Sequence, residues 1–151
     1  MKARQKLIID QLDRKLSSYR NLPETPQKGW IHVVRTSLKM SLRQLANRLG
    51  VTAPSVKEME DREKNGSITI RNLREAARAL NMKLVYCLIP ADGTLESMIE
   101  RQAEDVARKI VLRTANTMKL EDQSVSEARL EESIKELAAE IKNEMPRYLW
   151  D

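Results

Sequence analysis

The stretch SLRQLANRLGVTAPSVKEME, residues 41–60, contains two short helical patterns that are joined by a turn. Leucines recur at helical spacing after Ser41, whose side chain is of the type that caps a helix. Gly50 stands where the left-handed residue that ends such a helix is expected. Thr52 can cap the second helix, and Pro54 in its first turn lacks only an N–H that has no intrahelical partner there. The spacing predicts a helix-turn-helix motif in a mainly α-helical protein.

Helical patterns also flank this motif on both sides. One runs over residues 30–40 and another over residues 69–81. Between the two central helices, Val51, Val56 and Met59 are predicted to fill the interface. The alternative to a helix-turn-helix is an ordinary helical bundle that contains a tight turn.

The charge is divided unevenly along the chain, although the net formal charge is only +5. Residues 1–90 contain 18 Lys and Arg against 8 Asp and Glu, whereas residues 91–151 contain 9 against 14. A basic front indicates that this part of the chain meets an anion such as a nucleic acid. The alternative is a chance spread of charges that only keep the protein soluble.

The sequence divides into three predicted parts. Residues 1–29 form an N-terminal amphipathic helix and a linker with two prolines. Residues 30–90 form the helix-turn-helix domain, which ends in a short strand, and residues 91–151 form an acidic helical hairpin with helices over 94–117 and 124–145. The hairpin either packs on its own DNA-binding domain, completes a dimer or binds another partner.

The segment KLVYCLIP, residues 83–90, changes to a run of apolar, branched and aromatic residues that a proline stops. It predicts a short strand, and no other convincing strand pattern occurs in the chain. The simplest pairing is with the same strand of a second copy, antiparallel in a homodimer. The alternative is an extended tail that lies over the helices. The strand positions predicted to form the dimer are Leu84, Val85, Tyr86, Cys87 and Leu88.

The composition offers little for catalysis. His32 is the only histidine and Cys87 the only cysteine, and these two cannot assemble a metal site or a Ser–His arrangement. The sequence therefore predicts a protein that is not an enzyme and uses no cofactor and no metal. The lone cysteine, the lack of a long apolar run and the lack of a secretory signal pattern predict a cytoplasmic protein that does not bind a membrane.

Residues 41–60 resemble the Cro/C1-type (XRE) helix-turn-helix family, whose fold is the λ-repressor-like domain. The stretches GWIHVVRTSLKMS, DREKNGSITIRNLREAARALNMKLVYCLIP and LIIDQLDRKLSSYRNLP extend the resemblance to the bacterial family called mobile mystery protein A. It covers residues 1–90 well and the acidic tail only loosely.

This resemblance implies a regulator that binds double-stranded DNA, either a repressor or an antitoxin-like protein. Genes of the family tend to lie beside one for a Fic/Doc-domain protein, which implies a mobile-element or Fic-linked operon. The alternative function is an interaction protein that binds and restrains the adjacent Fic/Doc-type enzyme, with DNA binding secondary.

In the λ-repressor-like pattern the second helix of the motif lies in the major groove and reads base edges with its first residues. The resemblance implies that the reading helix here is 53–63. Lys57 could donate to guanine and Glu58 could accept from cytosine, whereas Ala53 stands where the pattern often has a glutamine. Glu60 matches a commonly acidic position and is expected to bond within the domain, to an arginine. The implied base-reading residues are Ala53, Pro54, Ser55, Lys57 and Glu58.

Phosphate contacts supply much of the affinity of such proteins, so the polar and basic side chains around the reading helix are candidates for these contacts. Any single Lys or Arg among them is better explained as a solvated surface side chain, whereas the set together favours phosphate contacts. Basic residues of the N-terminal helix either extend the footprint as an arm or form the outer face of a helix that packs on the domain. The candidate phosphate ligands are Arg35, Lys39, Ser41, Arg43, Gln44, Thr52, Arg62, Lys64 and Arg71.

Overall fold

The computed structural model describes residues 3–121 and 125–151, and the regular structure of these residues is helical. The mainly α-helical class predicted from the sequence is confirmed. The α-helices are α1 (Ala3–Ser17), α2 (Trp30–Ser37), α3 (Leu42–Leu49), α4 (Ala53–Asn65), α5 (Ile70–Ala79), α6 (Leu95–Leu120) and α7 (Glu127–Glu144), and a 3-10 helix follows at Arg147–Trp150.

The chain forms two compact units. One is the continuous segment Leu22–Cys87, which contains α2 to α5. The other combines the chain up to Asn21 with Leu88–Asp151, so that α1 packs with α6. The predicted division set residues 1–29 apart, or packed their helix on the helix-turn-helix domain. In the structure α1 packs on α6 instead. An amphipathic helix must bury its apolar face against another helix, but the sequence pattern does not specify which helix that is.

Three helices of the Leu22–Cys87 unit, α3, α4 and α5, begin at the predicted caps. The Ser41 hydroxyl accepts from the Gln44 N–H at 3.1 Å, and the Gln44 side chain accepts from the Ser41 N–H at 2.8 Å, which completes a capping box at the start of α3. Thr52 caps α4 and Thr69 caps α5 by the same kind of bond. The predicted helix starts are therefore confirmed.

Gly50 ends α3 in the left-handed conformation, with φ of 69°. The N–H of the following Val51 donates to the Ala46 carbonyl at 3.0 Å. This bond, which spans five residues, is the 6→1 hydrogen bond of a Schellman motif. This turn holds the backbone of Val51 and leaves its side chain exposed. The prediction that Val51 fills the interface between the helices is therefore wrong.

The core of the Leu22–Cys87 unit draws one or two side chains from each of its helices. Leu45 and Val56 are fully buried, and Met59 is half-buried against them, as predicted. Ala46 is also buried, where its small side chain leaves room for the neighbouring helix. The buried core residues are Ile31, Leu45, Ala46, Val56, Ala76 and Leu80.

The other unit is a helical hairpin of α6 and α7 with α1 and the 3-10 helix packed against α6. The hairpin agrees with the prediction, although α6 extends to Leu120 and Ser126 caps α7. The predicted start of the last helix, Ser124, lies outside the described residues. The buried core residues are Ile9, Ile99, Ala103, Val106, Ala107, Ile134, Ile141 and Leu149.

A carboxylate of α1 caps the start of α6. Asp13 accepts hydrogen bonds from the N–H groups of Leu95 and Glu96 at 2.8 and 3.3 Å. Negative charge at a helix N-terminus is favourable because the first amide groups there have no intrahelical partner. The contact ties the N-terminal helix α1 to the start of α6 within one unit.

The strand predicted over residues 83–90 does not appear, since the structure gives this segment no regular secondary structure. A strand is defined by hydrogen bonds to a neighbouring strand, and no described residue of the chain provides one. No described helix is long and apolar enough to cross a membrane.

Candidate nucleic-acid interface

Helices α3 and α4 pack directly on each other, and the turn at Gly50 sets the angle between them. Ala46 of α3 and Val56 of α4 belong to the same buried cluster. The start of α4 therefore has a defined position relative to α3, and its outward side chains have a defined direction.

The first turn of α4 presents a mixed surface. Pro54 and Ser55 are exposed, whereas Ala53 is half-buried against the core. The Ser55 hydroxyl lies 2.8 Å from the Thr52 hydroxyl, and the Ser55 N–H donates to Thr52 at 3.3 Å. Of the predicted readers in this turn, Pro54 is exposed, Ser55 is exposed but shares its hydroxyl with the cap, and Ala53 is only partly exposed.

The next turn carries two charged pairs along the helix. Lys57 donates to Asp61 at 3.3 Å and Arg62 donates to Glu58 at 2.5 Å. All four side chains are about half or more exposed, and such exposed pairs contribute only about 0.3–0.5 kcal/mol. Because the pairs are weak, Lys57 and Glu58 can exchange these partners for a base edge at little cost.

Glu60 behaves differently, because it is turned into the unit and is only 2% exposed. Arg35 of α2 donates to its carboxylate from Nε at 2.5 Å and from Nη2 at 3.2 Å, and His32 Nδ1 lies 3.0 Å away. Burial by itself raises the pKa of Glu60, but the hydrogen bonds from Arg35 and His32 outweigh it and hold the pKa below its ordinary value. The prediction that Glu60 bonds to an arginine of its own domain is confirmed.

The same contacts show that Arg35 is not a surface cation. Arg35 is 8% exposed, and its remaining guanidinium nitrogen, Nη1, donates to the Met40 carbonyl at 2.9 Å. The prediction of Arg35 as a phosphate ligand is therefore wrong. The sequence pattern places a basic side chain there but does not say that the helix face it occupies is the inner one.

Glu63, near the end of α4, is a structural residue that the sequence analysis did not single out. Its carboxylate accepts from the N–H groups of Trp30 and Ile31 at 2.9 and 2.8 Å. These bonds cap α2, whose N-cap residue is Gly29 and has no side chain to do so. In the sequence, the sign of such a contact is the glycine at the start of α2, because glycine has no side chain to accept from the first N–H groups of the helix.

The other predicted phosphate ligands lie on the surface. Within the described residues, Lys39, Arg43 and Lys64 form no ion pair, and Arg71 lies 3.7 Å from Glu75 in an exposed pair. Ser41 and Gln44 use part of their hydrogen-bonding groups in the capping box. The exposed members of the predicted set are Lys39, Ser41, Arg43, Gln44, Thr52, Arg62, Lys64 and Arg71.

The net charge of each unit differs from the simple front-and-back division of the sequence. Residues 22–87 contain 12 Lys and Arg against 6 Asp and Glu, a net of +6. Residues 1–21 and 88–151 together contain 15 against 16, a net of −1, because the basic N-terminal helix belongs to the unit with the acidic hairpin. The positive charge is therefore concentrated in the unit that contains α3 and α4.

No three His, Cys, Asp or Glu side chains of residues 3–121 and 125–151 come together as a metal site. Cys87 is a half-buried free thiol. Comparisons with protein-family models, with curated proteins and with solved structures find no match to this chain.

Lowering the pH should destabilise the Leu22–Cys87 unit through Glu60. A carboxylate with a lowered pKa in the folded state adds stability above the unfolded-state pKa, and this stability is lost as the pH falls through the folded-state value. We expect Glu60→Gln to remove part of this acid sensitivity, because an amide does not titrate. Urea unfolding followed between about pH 3 and 7 measures the difference. If the free energy of unfolding changed equally with pH in wild type and in Glu60→Gln, the acid sensitivity would not come from Glu60.

Proposed function

We propose that the protein is a sequence-specific DNA-binding regulator that reads the major groove with the first two turns of α4. One observation carries the proposal: every acidic side chain of α4 has a partner within its own unit. Glu60 and Glu63 are turned toward α2, and Glu58 and Asp61 pair with cations of the same helix. The acidity of α4 therefore does not oppose the approach of a polyanion.

The base contacts follow from the chemistry of the exposed side chains. Lys57 donates to guanine O6 and N7, and Glu58 accepts from the amino group of cytosine. Pro54 and the exposed part of Ala53 contact a thymine methyl group. Because these apolar contacts discriminate weakly, sequence-dependent DNA shape supplies part of the specificity.

The phosphate contacts come from the exposed cations of this unit, with Lys39, Arg43 and Lys64 foremost, since none of the three is engaged in an ion pair among the described residues. The net charge of +6 on this unit attracts DNA over distances up to about the Debye length, which shortens as the salt concentration rises. A homodimer would place two reading helices on an inverted repeat with half-sites about 34 Å apart. The resemblance supports the regulatory role, as a repressor or an antitoxin-like regulator of a Fic-linked operon.

Selection of bound sequences from random DNA at ~50 mM salt tests this function. We expect an inverted repeat to be enriched and to give a band shift that weakens steeply as salt rises. A protein that retains no DNA in the selection and gives no band shift at this salt concentration would refute the proposal.

Arg43→Ala and Lys57→Ala should have different effects on DNA binding. Loss of Arg43 removes a phosphate contact, so affinity should fall about equally for all sequences and the salt slope should fall by about 1. Loss of Lys57 should also relax the preference at one base pair, by about 1–3 kcal/mol of discrimination. Binding curves at several salt concentrations on the selected site and on its single-base variants measure both effects. Lys109→Ala, an exposed cation of α6, is the matched control.

A uniform loss for Lys57→Ala with an unchanged base preference would exclude Lys57 as a reader. An equal loss of affinity in Lys109→Ala would show that the Arg43 and Lys57 effects reflect only the total charge of the protein.

A further inference from the structure

The α6–α7 hairpin has an open apolar groove toward the end where its two helices are joined. The volume of this groove is about 390 Å³, and apolar side chains of both helices form most of its lining, among them Ile110, Met118, Leu130 and Leu137. Ile110 is 39% exposed, so the inner side of α6 is partly open to solvent here. Apolar surface of this kind is stabilised when another element covers it.

Helix α1 covers only the opposite end of the hairpin. Asp13 of α1 accepts from the first N–H groups of α6, and Ile9 belongs to the same buried cluster as Ile99 and Ala103. The 15 residues of α1 extend about 22 Å, whereas the 26 residues of α6 extend about 39 Å. A helix anchored at the start of α6 is therefore too short to fill the groove of its own chain.

The outer face of α1 combines apolar and basic side chains. We define this face as Arg4, Ile8, Leu12 and Lys15, whose spacing of four, four and three residues places them in one row of the helix. Ile8 is 46% exposed and Leu12 is 41% exposed, and the row contains no acid. The apolar part of this face has no partner among the described residues that buries it.

We propose that the groove of the hairpin takes the outer face of α1 from a second copy of the chain. Each copy has one such face and one such groove, so a two-fold pair fills both grooves with the same contact. This self-association goes beyond the proposed function, and its test uses no DNA.

The charges on the two surfaces favour a second copy as the occupant. Glu132, Glu136 and Glu140 are exposed and lie four residues apart in one row of α7, beside Ser133 of the groove. Within residues 3–121 and 125–151 these acids form no ion pair, and neither do the two cations of the outer face of α1.

This side of the groove is therefore negative, because three acids stand against the one charged residue of the groove lining, Arg129. Like charges four residues apart on a helix repel each other, so cations from another helix stabilise such a row. The basic outer face of α1 supplies those cations together with the apolar side chains that the groove lacks.

Crosslinking between two different chains tests the contact. Cys87→Ser removes the only cysteine, so one chain can carry Ile8→Cys on α1 and another chain Ser133→Cys in the groove. A short bismaleimide joins the two chains where α1 of one lies in the groove of the other. We expect a crosslinked pair in the mixture, identified on a denaturing gel by a size tag on one chain, and little crosslinking of either variant alone.

Glu131→Cys is the matched control for Ser133→Cys. Glu131 is on the same helix, but it is two residues away, which is about 200° around the helix, and it pairs with Arg108 of α6. We expect this position to crosslink weakly with the Ile8→Cys chain. Equal yields at positions 131 and 133, or no crosslink in either mixture, would overturn the proposal.

Charge reversal in the same assay tests the complementarity of the two surfaces. Arg4→Glu/Lys15→Glu in the chain that carries Ile8→Cys should lower the crosslinking yield by about ten-fold or more, since it brings like charges together. Adding Glu132→Lys/Glu136→Lys to the chain that carries Ser133→Cys should restore most of the yield. A merely structural effect of the first pair of changes would not be reversed by the second.

Lys6→Glu/Arg14→Glu is the matched control for the reversal on α1. It changes the net charge equally, but these two residues lie with Asp10 in a different row of the helix. We expect the yield to stay near that of the unreversed mixture. A loss equal to that of the outer-face variant, or no recovery when both chains are reversed, would overturn the proposed contact.

The outcome is separable from that of the proposed function. A protein that binds DNA but gives no crosslink between α1 and the groove would refute this proposal alone. A protein that gives the crosslink but binds no DNA would leave it standing and refute only the proposed function.

Discussion

Replacement of Glu60 by alanine is expected to lower the free energy of unfolding by about 3–5 kcal/mol, because it leaves the buried Arg35 without its counter-ion. Arg35 donates two hydrogen bonds to this carboxylate and is itself 8% exposed, so water cannot replace the lost partner. Urea unfolding at neutral pH measures the loss.

Asp61→Ala is the matched control for this change. Asp61 is the next acid along α4, but its side chain is 57% exposed and pairs only with Lys57, so its loss should cost less than about 1 kcal/mol. The double variant Arg35→Met/Glu60→Leu should recover most of the stability, since apolar side chains of similar size can replace a buried ion pair. A cost for Glu60→Ala no greater than that of Asp61→Ala would contradict the buried arrangement.

Leu45→Ala is the second change with a large expected effect, at about 2–5 kcal/mol. Leu45 has no exposed surface and packs in the cluster that includes Val56 of α4, so a cavity would open between the helices that carry the candidate interface. DNA binding should also weaken in Leu45→Ala, because the packing that fixes the position of α4 on α3 would be lost.

Leu38→Ala provides the comparison for this prediction. Leu38 follows α2 and is 58% exposed, so the same chemical change there removes little packing. Denaturant unfolding and DNA binding measured on both variants should separate them. Similar losses of stability in the two would mean that Leu45 does not lie in a packed core.

The helices could be predicted from the sequence because their signals are local. The hydroxyls of Ser41, Thr52 and Thr69 cap helices three residues from their partners, and Gly50 takes the left-handed conformation that its position requires. A capping bond or a turn involves only neighbouring residues, so neighbouring residues suffice to predict it. The same holds for the apolar spacing that buries Leu45 and Val56.

The partners of charged side chains could be predicted only in part. Glu60 was expected to bond to an arginine, which is correct, but the arginine is Arg35, which the pattern assigned to phosphate. Val51 was expected inside and is exposed. The partner of Arg35 depends on how α2 and α4 meet, and helix spacing alone does not contain that angle. The exposure of Val51 follows instead from the turn at Gly50, which holds its backbone.

The sequence by itself determined where the helices of the Leu22–Cys87 unit begin, how the turn between α3 and α4 is built and which apolar faces must be buried. Only the tertiary structure decided that α1 packs with α6, that Arg35 and Glu60 form a buried pair, and that Glu63 caps α2. The physical reason is range: caps and turns are contacts between residues three to five apart, whereas these contacts join residues more than twenty positions apart. Such contacts form only when whole helices have packed, so no local pattern specifies them.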